Sequence, residues 1–332
     1  MTTPGHLTAA QILAIPPDAP QRLFQGDAAS VTAQFRRLAK IWHPESGDPA
    51  RRDRNVFQHL VELRRAADRA LRDRRQGVLR RHRFEPGEML VGADRLTFLL
   101  RGEFADLHDA ALAAIGALRF DHLRDPAQYR RMLPDVVEAA LGATGPVLTL
   151  RKDPGLILLR DLLDHAGGRL DPRHAAWILT RLHNLACYLS HVGLVHNAIG
   201  PDSVFVEPRH HGVALLGGWF HAVRIGAPMQ SAPARTIAHA PSSLLREKRG
   251  DPRVDLELVK ATGREMLGAE GFGLDADPAV PRPLLDWLRA PTGGDAIADY
   301  AAWEQVRDSS LGPRRFARLE TTPSDVYGRL AA

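Results

Sequence analysis

Cysteine is almost absent: Cys187 stands alone in 332 residues. No intrachain disulfide can form, so packing and hydrogen bonds must hold the fold, and a reducing cytoplasm is the expected location. Cys187 lies inside an apolar helical pattern and is expected as a buried thiol. Long apolar runs are missing too. No stretch of eighteen occurs, so no membrane span is expected. The opening MTTPGHLTAAQILAIPPDAP lacks a basic start followed by an apolar core, so no signal peptide is read. Lysine is scarce, with only Lys40, Lys152, Lys248 and Lys260, and the net charge of +5 is carried by arginine. No His, Asp, Glu or Cys cluster has metal-ligand spacing, and no metal or other cofactor is expected.

What is present is an ordinary globular composition, 44% hydrophobic and 25% charged, long enough for two or three domains. Basicity peaks in RRDRNVFQHLVELRRAADRALRDRRQGVLRRHRF, from Arg51 to Phe84. Acids are interleaved, and aromatic interleaving, zinc spacing and RNA-binding signatures are missing. The run therefore reads as a solvated helix face followed by a basic linker, and nucleic acid is not an expected partner.

Three regions separate along the chain. In the first, Ser30 to Trp42 reads as a helix with Val31, Phe35, Leu38, Ala39 and Trp42 on one face. Arg36, Arg37 and Lys40 point elsewhere. His43-Pro44-Glu45 and the following SGDP break the pattern. A second amphipathic helix carries Phe57, Leu60, Leu63, Ala67 and Leu71, so an antiparallel helical hairpin is expected. The second region mixes strands with helix: LTFLL (Leu96–Leu100), PVLTL (Pro146–Leu150) and LILL (Leu156–Leu159) read as strands, and Tyr129 to Leu141 has a helical period around Pro134. The third is mainly helical. Its strongest element, Pro172 to Val192, is apolar over most of its surface and is expected to be central. Two short strands, SVFVE and GVALLGG, follow. Trp287, Trp303 and Phe316 are expected as core anchors, and His210-His211 as a surface turn.

Two resemblances rest on these segments. Phe35, Arg36, Leu38, Ala39, Trp42, His43, Pro44 and the row beginning at Phe57 resemble a J-domain, the module of DnaJ-type co-chaperones. That resemblance implies a partner, a DnaK-type chaperone ATPase, engaged through Arg36, Arg37, Lys40, His43, Pro44 and Glu45. The family carries His-Pro-Asp; here glutamate lengthens the acidic arm by one methylene and adds rotamer entropy.

The remainder resembles the protein-kinase fold, through the order of its segments. LILLRDLLDHAGGRL is similar to the hinge and first helix of the larger lobe. LVHNAIGPDSVFV is similar to the catalytic loop, with His196 and Asn197 where the family has His-Arg. SVFVEPRHHGVALLGGW is similar to the hairpin that ends in Asp-Phe-Gly, and HAPSSLL to Ala-Pro-Glu with Ser242 replacing glutamate. Asp255 matches the aspartate that caps the loop backbone. The resemblance also implies which groups are gone. Ala198 stands at the catalytic base, Ser203 at the metal-binding Asn, and Gly217 or Gly218 at the metal-binding Asp. No lysine is available for the phosphate-holding strand, and Arg119 in ALRF is the nearest substitute, although arginine is not equivalent there. Losing the base alone typically costs about 10²–10⁴ in rate.

The expected architecture is multidomain. It comprises a small all-α J-like helical hairpin over residues 1–75, a basic linker at 76–84, and an α+β bilobal kinase-like fold. Within the latter a small β-containing N-lobe spans 85–160 and a mainly helical C-lobe spans 161–332. The expected function is a catalytically inactive pseudokinase serving as adaptor or co-chaperone through protein partners. Two alternatives stay open: a scaffold subunit, including a homo-oligomer, with both domains degenerate, and an atypical nucleotide-dependent phosphotransferase recruiting Asp202, His196 or Glu207.

Overall fold

The computed structural model describes residues 7–17, 19–25, 28–45, 53–75, 77–121, 123–142, 144–268, 279–313 and 316–328. The chain divides into two compact units, Met1–Leu79 and Arg80–Ala332. No helix among the described residues is long and apolar enough to cross a membrane.

The first unit is helical. Helix α1 (Ala9–Leu13) begins at Thr8, which forms a capping box with Gln11; two otherwise orphaned amides are thereby satisfied. A 3₁₀ turn (Pro20–Arg22) leads to α2 (Ala28–Trp42), and α3 (Arg54–Arg75) follows. The apolar rows of α2 and α3 meet. Val31, Leu38 and Trp42 pack with Val56, Leu60, Leu63 and Ala67, closed at one end by Ile12, Leu23 and Phe24. Phe35 and Leu71 lie at the margin of this core. Polar side chains tie the periphery: His59 Nε2 donates to the Ile15 carbonyl at 2.8 Å, and Arg64 Nη2 to Thr32 Oγ1 at 2.9 Å.

The second unit is α+β. Strands β1 (Val78–Phe84), β2 (Gly87–Gly92), β3 (Arg95–Leu100), β4 (Val136–Gly142) and β5 (Gly145–Arg151) form a five-stranded sheet in the order β1-β2-β3-β5-β4. Helices α4 (Ala105–Gly116) and α5 (Pro126–Met132) lie between β3 and β4 in sequence. Alternation buries Leu96, Phe98 and Leu100 of β3 with Leu148 and Leu150 of β5 in the main core, as one face of a sheet requires.

Two expectations are corrected. The basic stretch 76–84 is not a linker over its length: Val78–Phe84 is strand, and the division between the units falls inside it. Its residues are all half-buried or exposed, which accommodates arginine at a sheet edge. The helical period from Tyr129 to Leu141 is also broken. Helix α5 stops at Met132, Leu133 is extended, and β4 begins at Val136. Pro134 drives the preceding residue out of the helical region.

A short strand β6 (Ile157–Leu158) runs directly into α6 (Leu159–His165). Leu159, expected within a strand, is the first helical residue. The long helix α7 (Pro172–His191) is central, with Ile178, Leu179, Leu182 and Leu185 fully buried. Then come β7 (Leu194–Val195), β8 (Val204–Glu207), β9 (Gly212–Leu215) and β10 (Val223–Arg224). Strand β8 pairs with β6 and β9, and β10 with β7. The helices α8 (Ala234–His239), α9 (Ser242–Glu247), α10 (Pro252–Met266), α11 (Arg282–Arg289), α12 (Ala296–Leu311) and α13 (Pro323–Tyr327) complete the unit. Asp-Pro pairs start three of its helices. The side chains of Asp125, Asp171 and Asp251 accept amides of Gln128, Arg173 and Arg253, and the proline occupies the first turn, where its missing N–H costs nothing. Trp287 and Trp303 are buried, but Phe316 is 63% exposed, a correction to its reading as a core anchor.

Candidate functional site

The segment from β7 to β8 forms a loop around one buried carboxylate. Asp255, in the first turn of α10, accepts the backbone N–H of His196 at 2.7 Å and of Asn197 at 2.8 Å. Burial raises its pKa to about 7, against the two N–H donors that favour the ionised form. Asn197 has φ +61°, a left-handed conformation that asparagine tolerates better than most residues. Its Nδ2 donates to the His221 carbonyl at 2.9 Å. The fully buried His196 donates from Nε2 to the Gly217 carbonyl at 3.0 Å and meets Trp219 edge-on. Burial lowers its pKa to about 3, so the ring is a neutral strut.

The remaining loop positions are closed on themselves. Ser203 Oγ donates to the Ala198 carbonyl at 2.6 Å and accepts the Gly200 N–H at 3.0 Å. Its oxygen holds the loop. Gly217 donates its N–H to the Ser203 carbonyl at 3.0 Å. A Cβ on Gly217 would stand 2.8 Å from Ser203 Cα. Gly218 has φ +77°, and a Cβ there would stand 2.7 Å from Ala198 Cβ and 2.8 Å from His196 Cε1. Neither position admits a longer side chain without displacing backbone. Ala198 brings no titratable group.

Above this loop lies a cleft of about 370 Å³. Phe84, Met89 and Phe98 of the sheet line it together with Ala198, Ser203, Gly218 and Phe220. Phe84 stacks on Phe220 with centroids 5.8 Å apart, and Phe98 meets Phe220 edge-on at 5.1 Å. The arginines lining the cleft are Arg83 and Arg235, the latter bonded to Glu265; the aromatic roof itself offers no charge to a polyphosphate. Asp202 at its margin is engaged by Arg160 at 3.1 Å. No group of three or more metal-ligating side chains occurs among the described residues.

Arg119 is corrected. It follows α4 in an exposed turn, where Nη1 donates to the carbonyls of Gly116 and Leu118, and it does not line the cleft. The strand residues that line the cleft include Arg83 and Phe84 of β1, Met89 of β2 and Phe98 of β3.

A buried network was not legible in the sequence. Arg235 of α8 donates Nε to Glu265 at 2.7 Å, Nη1 to the Ile199 carbonyl at 2.5 Å and Nη2 to Thr262 Oγ1 at 3.1 Å. Thr236 Oγ1 donates to the Asn197 carbonyl at 2.5 Å. The chain segment before α9 is thus fastened to the loop by groups about thirty positions from their partners, a distance at which no local spacing reports contact.

In the helical unit, Arg36, Arg37 and Lys40 are exposed on α2. His43 directly follows that helix, half-buried and edge-on to Phe57 at 4.8 Å. Its Nδ1 accepts the Glu45 N–H at 3.2 Å, so the ring closes the first turn of the connection and sets the backbone of Pro44 and Glu45. Both of these are exposed. The rest of that connection, residues 46–52, lies outside the described residues. No protein-family model matches the chain, and no curated protein matches it significantly.

Proposed function

We propose that the chain is a non-catalytic adaptor: a degenerate kinase-like unit that holds a protein partner, joined to a J-like helical unit that recruits a DnaK-type chaperone ATPase. The observation that carries the first half is the pairing of an ordered loop frame with a cleft that has no base and no metal-binding carboxylate at Ala198, Ser203 and Gly218. Asp255 organises the backbone of His196 and Asn197, while glycine is enforced at 217 by the backbone of Ser203. Phosphoryl transfer depends on positioning and charge neutralisation. Ala198 supplies no base, Ser203 Oγ is consumed within its loop, and the cleft is roofed by phenylalanine. The sheet order β1-β2-β3-β5-β4 with helices between β3 and β4 is compatible with this reading. The exposed cationic row Arg36, Arg37 and Lys40 beside His43 supports the second half. Glu45 in place of aspartate favours one further reading, in which the helical unit too is degenerate and the chain is a scaffold subunit.

The test is thermal unfolding with and without Mg²⁺ and ATP, on wild type and Gly217→Asp. The expected midpoint is unchanged by nucleotide in both proteins. A rise of several degrees in wild type, with phosphoryl transfer abolished by Asp202→Ala, overturns the non-catalytic assignment.

A further inference from the structure

A second cavity, of about 560 Å³, lies away from this loop, between α7, the β8–β9 turn and the end of α12. Arg173, Trp177, Arg181 and Asn184 line it from one face of α7, since residues three and four apart share a helix face. His211 and Phe316 form the adjoining wall. His211 is clasped between Trp177 and Phe316, with ring centroids 4.3 and 4.1 Å away and interplanar angles of 3° and 15°. It donates from Nε2 to the Ala317 carbonyl at 2.8 Å. The wall is therefore preformed.

Its electrostatics are one-sided. No aspartate or glutamate lines the cavity among the described residues. The Arg173 guanidinium has no ion pair there, and Arg181 has one bond, from Nε to the His211 carbonyl at 3.3 Å. The third arginine, Arg307, is already neutralised by Asp308 and Glu304. One further group lacks a partner: Trp177 Nε1 is buried without an acceptor. An indole N–H can only donate, and a buried donor left unmade is costly.

We propose that this cavity binds a small aromatic anion. Arg173 and Arg181 hold the anionic oxygens, the Trp177 indole lines the site beside them, and the ring lies against the Phe316 side of the wall. Charge-assisted bonds to guanidinium suit carboxylate, sulfonate and phosphate alike, so the class is set by one anionic head on a flat apolar body. The site is independent of the adaptor reading, because none of its residues lines the cleft above Ala198.

The experiment follows the indole N–H signals of the full ¹⁵N-labelled chain, with Trp177 assigned through Trp177→Phe. Phenyl phosphate, inorganic phosphate and phenol are titrated separately. Phenyl phosphate is expected to shift the Trp177 signal saturably below about 1 mM, with phosphate and phenol at least about tenfold weaker. Arg173→Gln and Arg181→Gln are each expected to weaken phenyl phosphate about tenfold, with unchanged melting midpoints. A Trp177 signal unmoved by all three probes overturns the proposal, as does undiminished binding by the doubly substituted protein. Equal binding of phosphate and phenyl phosphate overturns the aromatic part.

Discussion

Asp255 concentrates more consequence than any other side chain in the loop. Its two oxygens satisfy two buried amides that nothing else reaches. Asp255→Ala leaves both unmade, and each costs about 1–3 kcal/mol. The expected loss is about 2–6 kcal/mol by urea unfolding, with Asp255→Asn near half of it because one acceptor remains. The same neighbourhood sets a pH response. Burial lowers His196 to about 3 and His221 to about 4, so both stay neutral in the fold while the unfolded chain gains protons below its ordinary value of about 6.5. Their contribution is present above that value and is lost as pH falls through the folded values. Asp255 acts oppositely. Raised to about 7, it favours the fold below its unfolded value, and that contribution is lost as pH rises toward 7. Two histidines outweigh one carboxyl, so the melting midpoint should fall between pH 6.5 and 4.5. His221→Asn should flatten the slope; an unchanged slope would remove His221 from this account.

Elements carry the next layer. Asp-Pro and Thr-x-x-Gln start helices as local devices, acting within four residues of themselves. The row on α2 was readable for the same reason, since a 3.6-residue period exposes its face in the sequence. Tyr129 to Leu141 was misread because its apolar spacing suits a short helix and a strand equally, and Pro134 decided between them. The roof of the cleft belongs to this scale. Phe84, Phe98 and Phe220 come from two strands and a 3₁₀ turn, and each sits on the other two. Phe220→Ala should cost about 3–5 kcal/mol, as large-to-small changes in packed cores do, while Phe220→Leu should recover most of it. A loss below about 1 kcal/mol would mean that the roof collapses freely and the cleft is not fixed.

At the scale of the whole molecule, two units with separate cores stand on one chain. The proposed function needs both, and its recruiting half is the easier to break. The ATPase rate of a DnaK-type chaperone should rise with the wild-type chain and return to its basal value with His43→Gln, whose amide cannot reproduce the ring packing against Phe57. Equal basal rates for both would leave the scaffold reading. Arg119 and Phe98 mark the boundary of what could be read in advance. The absence of lysine between Lys40 and Lys152 was plain in the sequence. Which residues line the cleft was not, because that depends on which strands face it. The sequence by itself determined the helical faces, the lone thiol and the absence of a titratable side chain at Ala198 and Gly217. Only the tertiary structure decided that Ser203 is spent on its own loop, that Arg235 is spent on Glu265, and that Arg173 and Arg181 have no carboxylate partner among the described residues. Caps and periodicity are properties of neighbours along the chain. Pairing across tens of residues exists only after the chain has folded.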